Sequence, residues 1–583
     1  MSSQKKLKLI LCWHMHQPDY RQHGTGDFAL PWTYLHAIKD YTDMAYHLEQ
    51  SPQARAVVNF VPILLDQLED YSDQFRSGKL RDPLLRMLAA KDLDRLTLEQ
   101  RRLILDSCFR SNNSKMIDPY PSYKRLYDLY KMHEGQGAES LHYYLSSQYL
   151  ADLLVWYHLA WTGESVRREN ELVVGMMSKG SLFTYKERQQ LLALIGELVQ
   201  DIIPRYRKLA EEGQVELSAT PYYHPIAPLM LDFKSAHESA PGIELPKSQQ
   251  YPGASQRVSF HIGEALALHE HYFGLRPDGM WPAEGGVSQA LALLMAKSGC
   301  RWIATGQGVL AASLRRAHQD EQLGNPLNYL YRPYRISDGE HQIACFFRDD
   351  RLSDMIGFEY AKWFGRDAVL NFVHALEEIW QQSSGYENPV VSIILDGENA
   401  WEYYPYNGYY FLSELYEMLQ NHPRIEMTTF RDYLDECHEE AERGKKLPAH
   451  HCAAVRDLPY LVAGSWVYGN FTTWIGCAEK NHAWDLLCQA KQSYDLVIGS
   501  GRLDAEQREK AARQLAVCEG SDWFWWFGDY NPGDSVRSFD KLFRENLADL
   551  YRLLMLVPPA ELDIPISQGG GHAEAGGAMR RAA

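Results

Sequence analysis

Short apolar runs bounded by polar or turn-forming residues recur along this chain. KLKLILCWHMH (6–16) and ARAVVNFVP (54–62) predict two strands near the N-terminus. Similar runs return at 214–220, 279–284, 301–306, 342–349, 390–397 and 424–430. Between about 64 and 210 the pattern changes to three-and-four spacing, as in ESLHYYLSSQYLADLLVWYHLAW (139–161), which predicts a helical insertion. VSQALALLMAKSG and RDAVLNFVHALEEIWQQ have the same helical period and separate later strands. Short strands alternating with helices indicate an α/β chain built on a parallel sheet, and seven or eight strands favour closure into a barrel. The charged stretch CHEEAERGKKLPAHH (437–451) reads as a connection to a second, helical region. The division expected is a catalytic barrel over 1–440, a helical domain over 441–560 and a disordered tail over 561–583, where SQGGGHAEAGGAMRRAA is low in complexity. The Pro-, Ser- and Gly-rich segment 231–256 is long for a connection and is a candidate lid.

Composition narrows the choice of partner. A formal charge of −17 disfavours nucleic acid and anionic membranes, both of which reward basic surfaces. Nine cysteines, an odd number with no C-x-x-C pair, point to free thiols in a reducing compartment, and neither a cleavable leader nor a membrane span is legible, so a cytoplasmic location is expected. Fifteen Trp and thirty-six Tyr exceed what core packing usually requires and suit a neutral, flat-faced ligand such as a sugar.

The candidate chemistry gathers at strand ends. The first strand runs into His14, His16 and Gln17; the third leads to Tyr222, Tyr223 and His224; the fourth ends at Trp281 and Glu284; the sixth ends at Arg348-Asp349; the seventh ends at Asp396 and Glu398. In a parallel barrel these ends share the C-terminal face, where barrel active sites are built. Two carboxyl groups facing each other there, Glu284 and Asp396, are what glycoside hydrolysis requires. His-x-His and the His450-His451-Cys452 tract invite a metal, but neither has a legible third ligand, so no metal or cofactor is expected.

HMHQP (14–18), GQVELSATPYYHP (213–225), GMWPAEGGVS (279–288), LDGENAWEYY (395–404) and GSWVYGNFTTWIGCAEKNHAWDLL (464–487) occur in the order of the motifs of glycoside hydrolase family 57, which the chain resembles over roughly 8–530. The resemblance implies a (β/α)7 barrel, an incomplete TIM-like barrel, followed by a helical C-terminal domain that closes the active site. It implies a retaining, metal-free mechanism on α-1,4-glucosidic bonds of starch, glycogen or maltodextrin, with Glu284 as nucleophile and Asp396 as general acid and base. It places His14, His16, Gln17 and His224 on sugar hydroxyls and Trp466, Trp474 and Glu479 on the wall from the helical domain, while Trp281 and Trp401, beside the two carboxyl groups, are expected to bind substrate by stacking on sugar rings. Glu398 is read as structural or as tuning Asp396, with a negative neighbour helping to keep the acid protonated. An amylase-like hydrolase is the first reading; 4-α-glucanotransferase or amylopullulanase activity is the alternative within the family. A metal-dependent mannosidase or carbohydrate deacetylase is the alternative from another class, and would need an Asp with the His ligands where this chain has Gln17-Pro18. A non-catalytic glucan-binding protein is a third, disfavoured by the presence of both Glu284 and Asp396.

Overall fold

The computed structural model describes residues 5–22, 24–133, 145–386, 388–443 and 455–571. Its sheet contains β1 (Leu7–Met15), β2 (Ala56–Phe60), β3 (Val215–Ala219), β4 (Gly279–Met280), β5 (Trp302–Gly306), β6 (Tyr334–Ser337), β7 (Gln342–Arg348), β8 (Val390–Asp396), β9 (Ile425–Met427) and β10 (Arg456–Asp457). Strands β1, β2, β3, β4, β5, β7 and β8 pair in that order, all parallel, and β8 returns to β1 to close a seven-stranded barrel. Closure is thinnest between β7 and β8, where the register is the single pair Arg348 and Ser392. There β6 runs antiparallel along β7 and occupies its free edge. The sequence pattern missed β6 and β10, which are short and lie outside the ring. It overran β4, because Pro282 has no N–H to give to a neighbour.

The two-residue period of a strand explains what fills the barrel. The inward positions Ile10 and Cys12 of β1, Val57 of β2, Trp302 and Ala304 of β5, and Ile394 of β8 form one buried cluster. Phe430, Tyr433 and Leu434, from the helix Phe430–Arg443, belong to the same cluster and plug the N-terminal end. Two residues further along the same strands, the inward positions become polar: His14, Asn59 and Asp396. Registers pair His14 with Asp396 on one side and with Asn59 on the other, and pair Asn59 with Ser218. A polar layer thus caps an apolar interior at the C-terminal mouth.

Helices of the insertion follow β2. The first, Pro62–Ser77, opens with proline at its first turn, where a missing N–H costs nothing, and stops at Gly78 with φ +69°. The last, Tyr185–Glu211, starts at a capping box formed by Thr184 and Glu187. Within the predicted helical run, residues 134–144 lie outside the described residues, as do His450-His451-Cys452 and residues 572–583. The C-terminal region is helical, with long helices Ala478–Gly499, Ala505–Cys518 and Gly533–Leu553. Residues 561–571, expected to be disordered, pack against the last of these: the Asp540 carboxylate accepts the backbone N–H of Ile566 at 2.7 Å, and the Leu562 carbonyl accepts from Arg544 at 2.8 Å. Of the eight described cysteines, all but Cys477 are buried. No described helix is long and apolar enough to cross a membrane.

The segment 231–256 is strapped to the helical region. Asp485 accepts the backbone N–H groups of Lys247 and Ser248, Asn481 donates to the Glu244 carbonyl, and Phe233 and Tyr251 pack against Trp484. These contacts give it a structural task in place of the lid expected from its length, and none of its residues lines the cavity described next.

Candidate active site

A cavity of about 860 Å³ opens at the C-terminal mouth of the barrel, and both Glu284 and Asp396 line it. Glu284 sits in the left-handed region, φ +55° and ψ +29°, directly before Gly285 with φ +56°. A glutamate held there is strained by roughly 1–3 kcal/mol, a cost that persists only where the surroundings fix it. They do: Trp466 donates its indole N–H to Glu284 Oε2 at 2.9 Å and its backbone N–H to the Glu284 carbonyl at 3.3 Å. Trp466 is held in turn between Trp281, at 5.2 Å and 75°, and the Arg348 guanidinium, 5.2 Å from its ring. Arg348 binds Asp350, Asp354 and the Ile394 carbonyl, so its charge is spent on bracing β7, β8 and this indole.

Asp396 ends β8, and Gly397 follows because a Cβ there would run into the Met15 thioether of β1. Burial raises the Asp396 pKa above the ordinary carboxylate range, opposed by a hydrogen bond from Asn399 Nδ2 to Oδ2 at 2.9 Å and by His16 and Arg348. Glu398, two residues on, is buried and accepts the His16 backbone N–H at 3.1 Å. Burial first, and the Asp396 charge second, push its pKa well up. Glu398 therefore holds its proton when Asp396 ionises. Of the two causes expected for a raised Asp396 pKa, burial or a negative neighbour, burial is the larger here.

His14, His16 and His224 form a stack in which the His16 and His224 rings lie 3.9 Å apart at 22°. Each is oriented by a partner: His14 Nδ1 by Asn59 at 2.7 Å, His16 Nε2 by Asp522 at 2.9 Å, and His224 Nδ1 by Ser521 Oγ at 2.9 Å. The other nitrogen of each ring is buried with no protein partner. Burial and mutual repulsion lower the His14 pKa to about 3 and take His224 well down as well, so both stay neutral near pH 7. His16, His224 and Asp522 each place a ligand atom within 4.8 Å of the others. Imidazole lone pairs lie in the ring planes, however, and two nearly parallel stacked rings do not converge on one ion. Neutral nitrogens along a cavity wall suit hydroxyl groups better.

His14, His16, Gln17 and Trp466 share the cavity wall with the two carboxyl groups. His224 lies behind His14 and His16 in the stack, and Trp281 lies behind Trp466. Trp401 is buried against Trp13 and donates its N–H to the Gly397 carbonyl, so it shapes the turn after Asp396 without lining the cavity. Trp474 is buried against Trp525, and Glu479 is on the first turn of the helix Ala478–Gly499; neither lines the cavity. The helical region instead contributes Asp522, Trp525 and Trp526 besides Trp466, while Trp32, Trp161 and Asn399 complete other walls. Nothing in the local pattern around Asp522 marks it; the aromatic run DWFWW (522–526) was the available signal.

A buried cluster fixes Asp522 relative to the barrel. Glu519, fully buried, is bonded by Arg257 Nη2 at 2.6 Å and by His261 Nε2 at 2.8 Å, both from the barrel helix Ala254–Phe273. Despite burial, the Arg257 charge and the His261 bond hold the Glu519 pKa down at about 2. Replacing Glu519 by Ala strands a buried guanidinium and is expected to cost about 3–5 kcal/mol. A carboxylate whose pKa is depressed stabilises the fold above its unfolded value and loses that contribution as pH falls toward the folded one. Denaturant melts should therefore show a wild-type advantage that is full at pH 7 and shrinks as pH falls from about 4.5 toward 2; equal melts at pH 7 would refute the role.

A closed parallel barrel carrying two carboxyl groups, a polar histidine wall and indole faces in one cavity defines a carbohydrate-processing enzyme. Comparison makes this specific. The family model of Glycosyl hydrolase family 57 matches residues 10–448, and the chain belongs to that family. Among solved structures it is similar to the GH57 branching enzyme of Thermococcus kodakaraensis, with TM-score 0.56 and 15% identity, covering 94% of this chain and 90% of that one. The α-amylase AmyC of Thermotoga maritima gives TM-score 0.54 and 15% identity, covering 94% and 93%. The GH57-type branching enzyme of Pyrococcus horikoshii gives 0.55 and 16%, covering 94% and 89%. At such identities the likeness shows the shared fold. No curated protein sequence matches the chain.

Proposed function

We propose that this chain cleaves α-1,4-glucosidic bonds with retention of configuration, passing the glucosyl group to water or to an acceptor sugar. The observation that carries the proposal is the placement of Glu284 and Asp396 on the wall of one cavity at the barrel mouth. Glu284 is held in place by the Trp466 indole N–H on Oε2 and by its left-handed turn. Asp396 is half-buried, and desolvation raises its pKa above the ordinary carboxylate range. Two carboxyl groups in one cavity, one of them with a raised pKa, can serve as the nucleophile and the acid of a double displacement. A Glu284 oxygen attacks the anomeric carbon as Asp396 gives its proton to the departing glycosidic oxygen. Asn399 bonds Oδ2, which leaves Oδ1 to carry that proton. In the second half Asp396, now ionised, removes a proton from water or an acceptor hydroxyl, whose oxygen displaces Glu284. His14 and His16 line the same cavity and are the residues expected beside the glucosyl unit being transferred.

Branching enzymes and an amylase share this fold, so the fold does not choose between transfer and hydrolysis. The DGENAWEYY and WPAEGGVS forms favour the amylase-like reading. The products formed from maltoheptaose in the presence of a metal chelator test both points. Shorter sugars alone are expected. Products longer than seven units would reassign the chain as a 4-α-glucanotransferase, and activity lost to the chelator would restore the metal-dependent alternative.

A further inference from the structure

The aromatic run after Asp396 divides into two sets. Trp401 and Tyr404 pack inward, where Tyr404 donates its hydroxyl to the Ile356 carbonyl. Tyr403 lines the cavity, and beyond it Tyr406 and Tyr410 face solvent at 56% and 49% exposure. Tyr406 is left-handed, with φ +53°, as is Asn407 beside it. Asn407 explains how that backbone is held: its side-chain oxygen accepts from the buried Lys39 at 3.0 Å and its nitrogen donates to the buried Asp43 at 2.9 Å. The outcome is an outward tyrosine whose strain is not repaid by burial of its own ring. Arg168 braces the group from below, with its guanidinium 4.3 Å from the Tyr409 ring and 5.0 Å from that of Tyr410, and with Nη2 bonded to the Tyr410 hydroxyl at 3.0 Å.

Trp363 and Phe364 join this surface. The backbone of Gly365 lies against Tyr410, and Trp363 packs on Tyr360, which contacts Phe411. Trp363 at 42% is the one most exposed of the fifteen Trp, and Phe364 at 73% the most exposed of the twenty Phe among the described residues. Its most exposed Trp, Phe and Tyr among the described residues, Trp363, Phe364 and Tyr406, thus lie on one stretch of surface with Tyr410, while Tyr185, Tyr468 and Tyr530 are exposed elsewhere. The Tyr406 and Tyr410 rings stand 5.6 Å apart at 86°. A corner of this kind fits the curved apolar face of a coiled α-1,4-glucan, where a flat chain would call for coplanar rings.

We propose that Tyr406, Tyr410, Trp363 and Phe364 form a second α-glucan-binding surface, continuous with the cavity through Tyr403, which holds the outer part of a long or branched chain while one segment is processed. The inference rests on the α-glucan reading of the cavity. Its test is affinity electrophoresis through glycogen, using the Glu284→Gln protein so that the polymer is not digested. Loss of two stacking rings in Tyr406→Ala/Tyr410→Ala should weaken retardation about tenfold. Tyr406→Phe/Tyr410→Phe, which keeps the rings, should be retarded like the parent. In the otherwise wild-type enzyme the alanine pair should leave maltoheptaose cleavage unchanged. Equal retardation of the alanine pair and its parent, with maltoheptaose still cleaved by the wild type, overturns the surface and spares the cavity reading. A wild type that neither cleaves maltoheptaose nor is retarded by glycogen sinks both. A dimer in solution that dissociates in the alanine pair would make the patch a self-interface and overturn the proposal.

Discussion

Glu284→Gln is expected to lower kcat by about 10⁴-fold or more on every glucoside, whatever its leaving group, because a removed nucleophile cannot be replaced by the remaining machinery. The substitution is nearly isosteric, and an amide can still accept the Trp466 N–H at the oxygen position, so the left-handed turn and the indole contact persist. The loss is therefore chemical, and the variant should melt with the wild type. Parallel measurement of kcat on maltoheptaose and on an activated aryl α-glucoside checks the assignment. Substantial activity on either substrate would move the nucleophile elsewhere, and the first place to look would be Glu398.

Asp396→Asn is expected to separate substrates that Glu284→Gln treats alike. Natural glucans have alkoxide leaving groups that need a proton, so their cleavage should fall by about 10²–10⁴-fold. An activated aryl leaving group departs without help, so the first step on such a substrate should survive and its glycosyl-enzyme should accumulate, because the base for the second step is gone. The pH profile gives an independent reading. Wild-type activity needs protonated Asp396, and since burial raises its pKa, activity on glucans should decline as pH rises through a value above the ordinary carboxylate range. That alkaline limb should vanish from the residual activity of the variant. Equal losses on both substrate classes would count against the acid role.

Glu398 shows why two carboxyl groups in one motif are not interchangeable. Both belong to the DGEN turn, yet Asp396 is the last inward position of β8, whereas Glu398 is folded back onto the His16 backbone, where burial pushes its pKa well up. Its second oxygen is buried without a protein partner, so it is available to a buried water or a substrate hydroxyl.

The strand pattern, the helical insertion and the polar strand ends were legible in the sequence because they follow local rules: period two in strands, period 3.6 in helices, and polar residues where a strand leaves the core. The same rules place His14 and Asp396 at polar strand ends, and five ordered motifs point to the family. What the sequence did not determine is which aromatic rings meet the cavity. Trp401 and Trp474 stand next to informative residues yet are buried, while Trp32, Trp161 and Trp525 lie far from any motif and line the wall. Nor did it show that Asp522 orients His16, that Glu519 locks the helical region to the barrel, or that 231–256 is strapped down. Each of these depends on contacts between segments hundreds of residues apart, set by how the helical region docks on the barrel mouth. Periodicity reports which face of an element is turned inward; only the tertiary structure decides what that face meets.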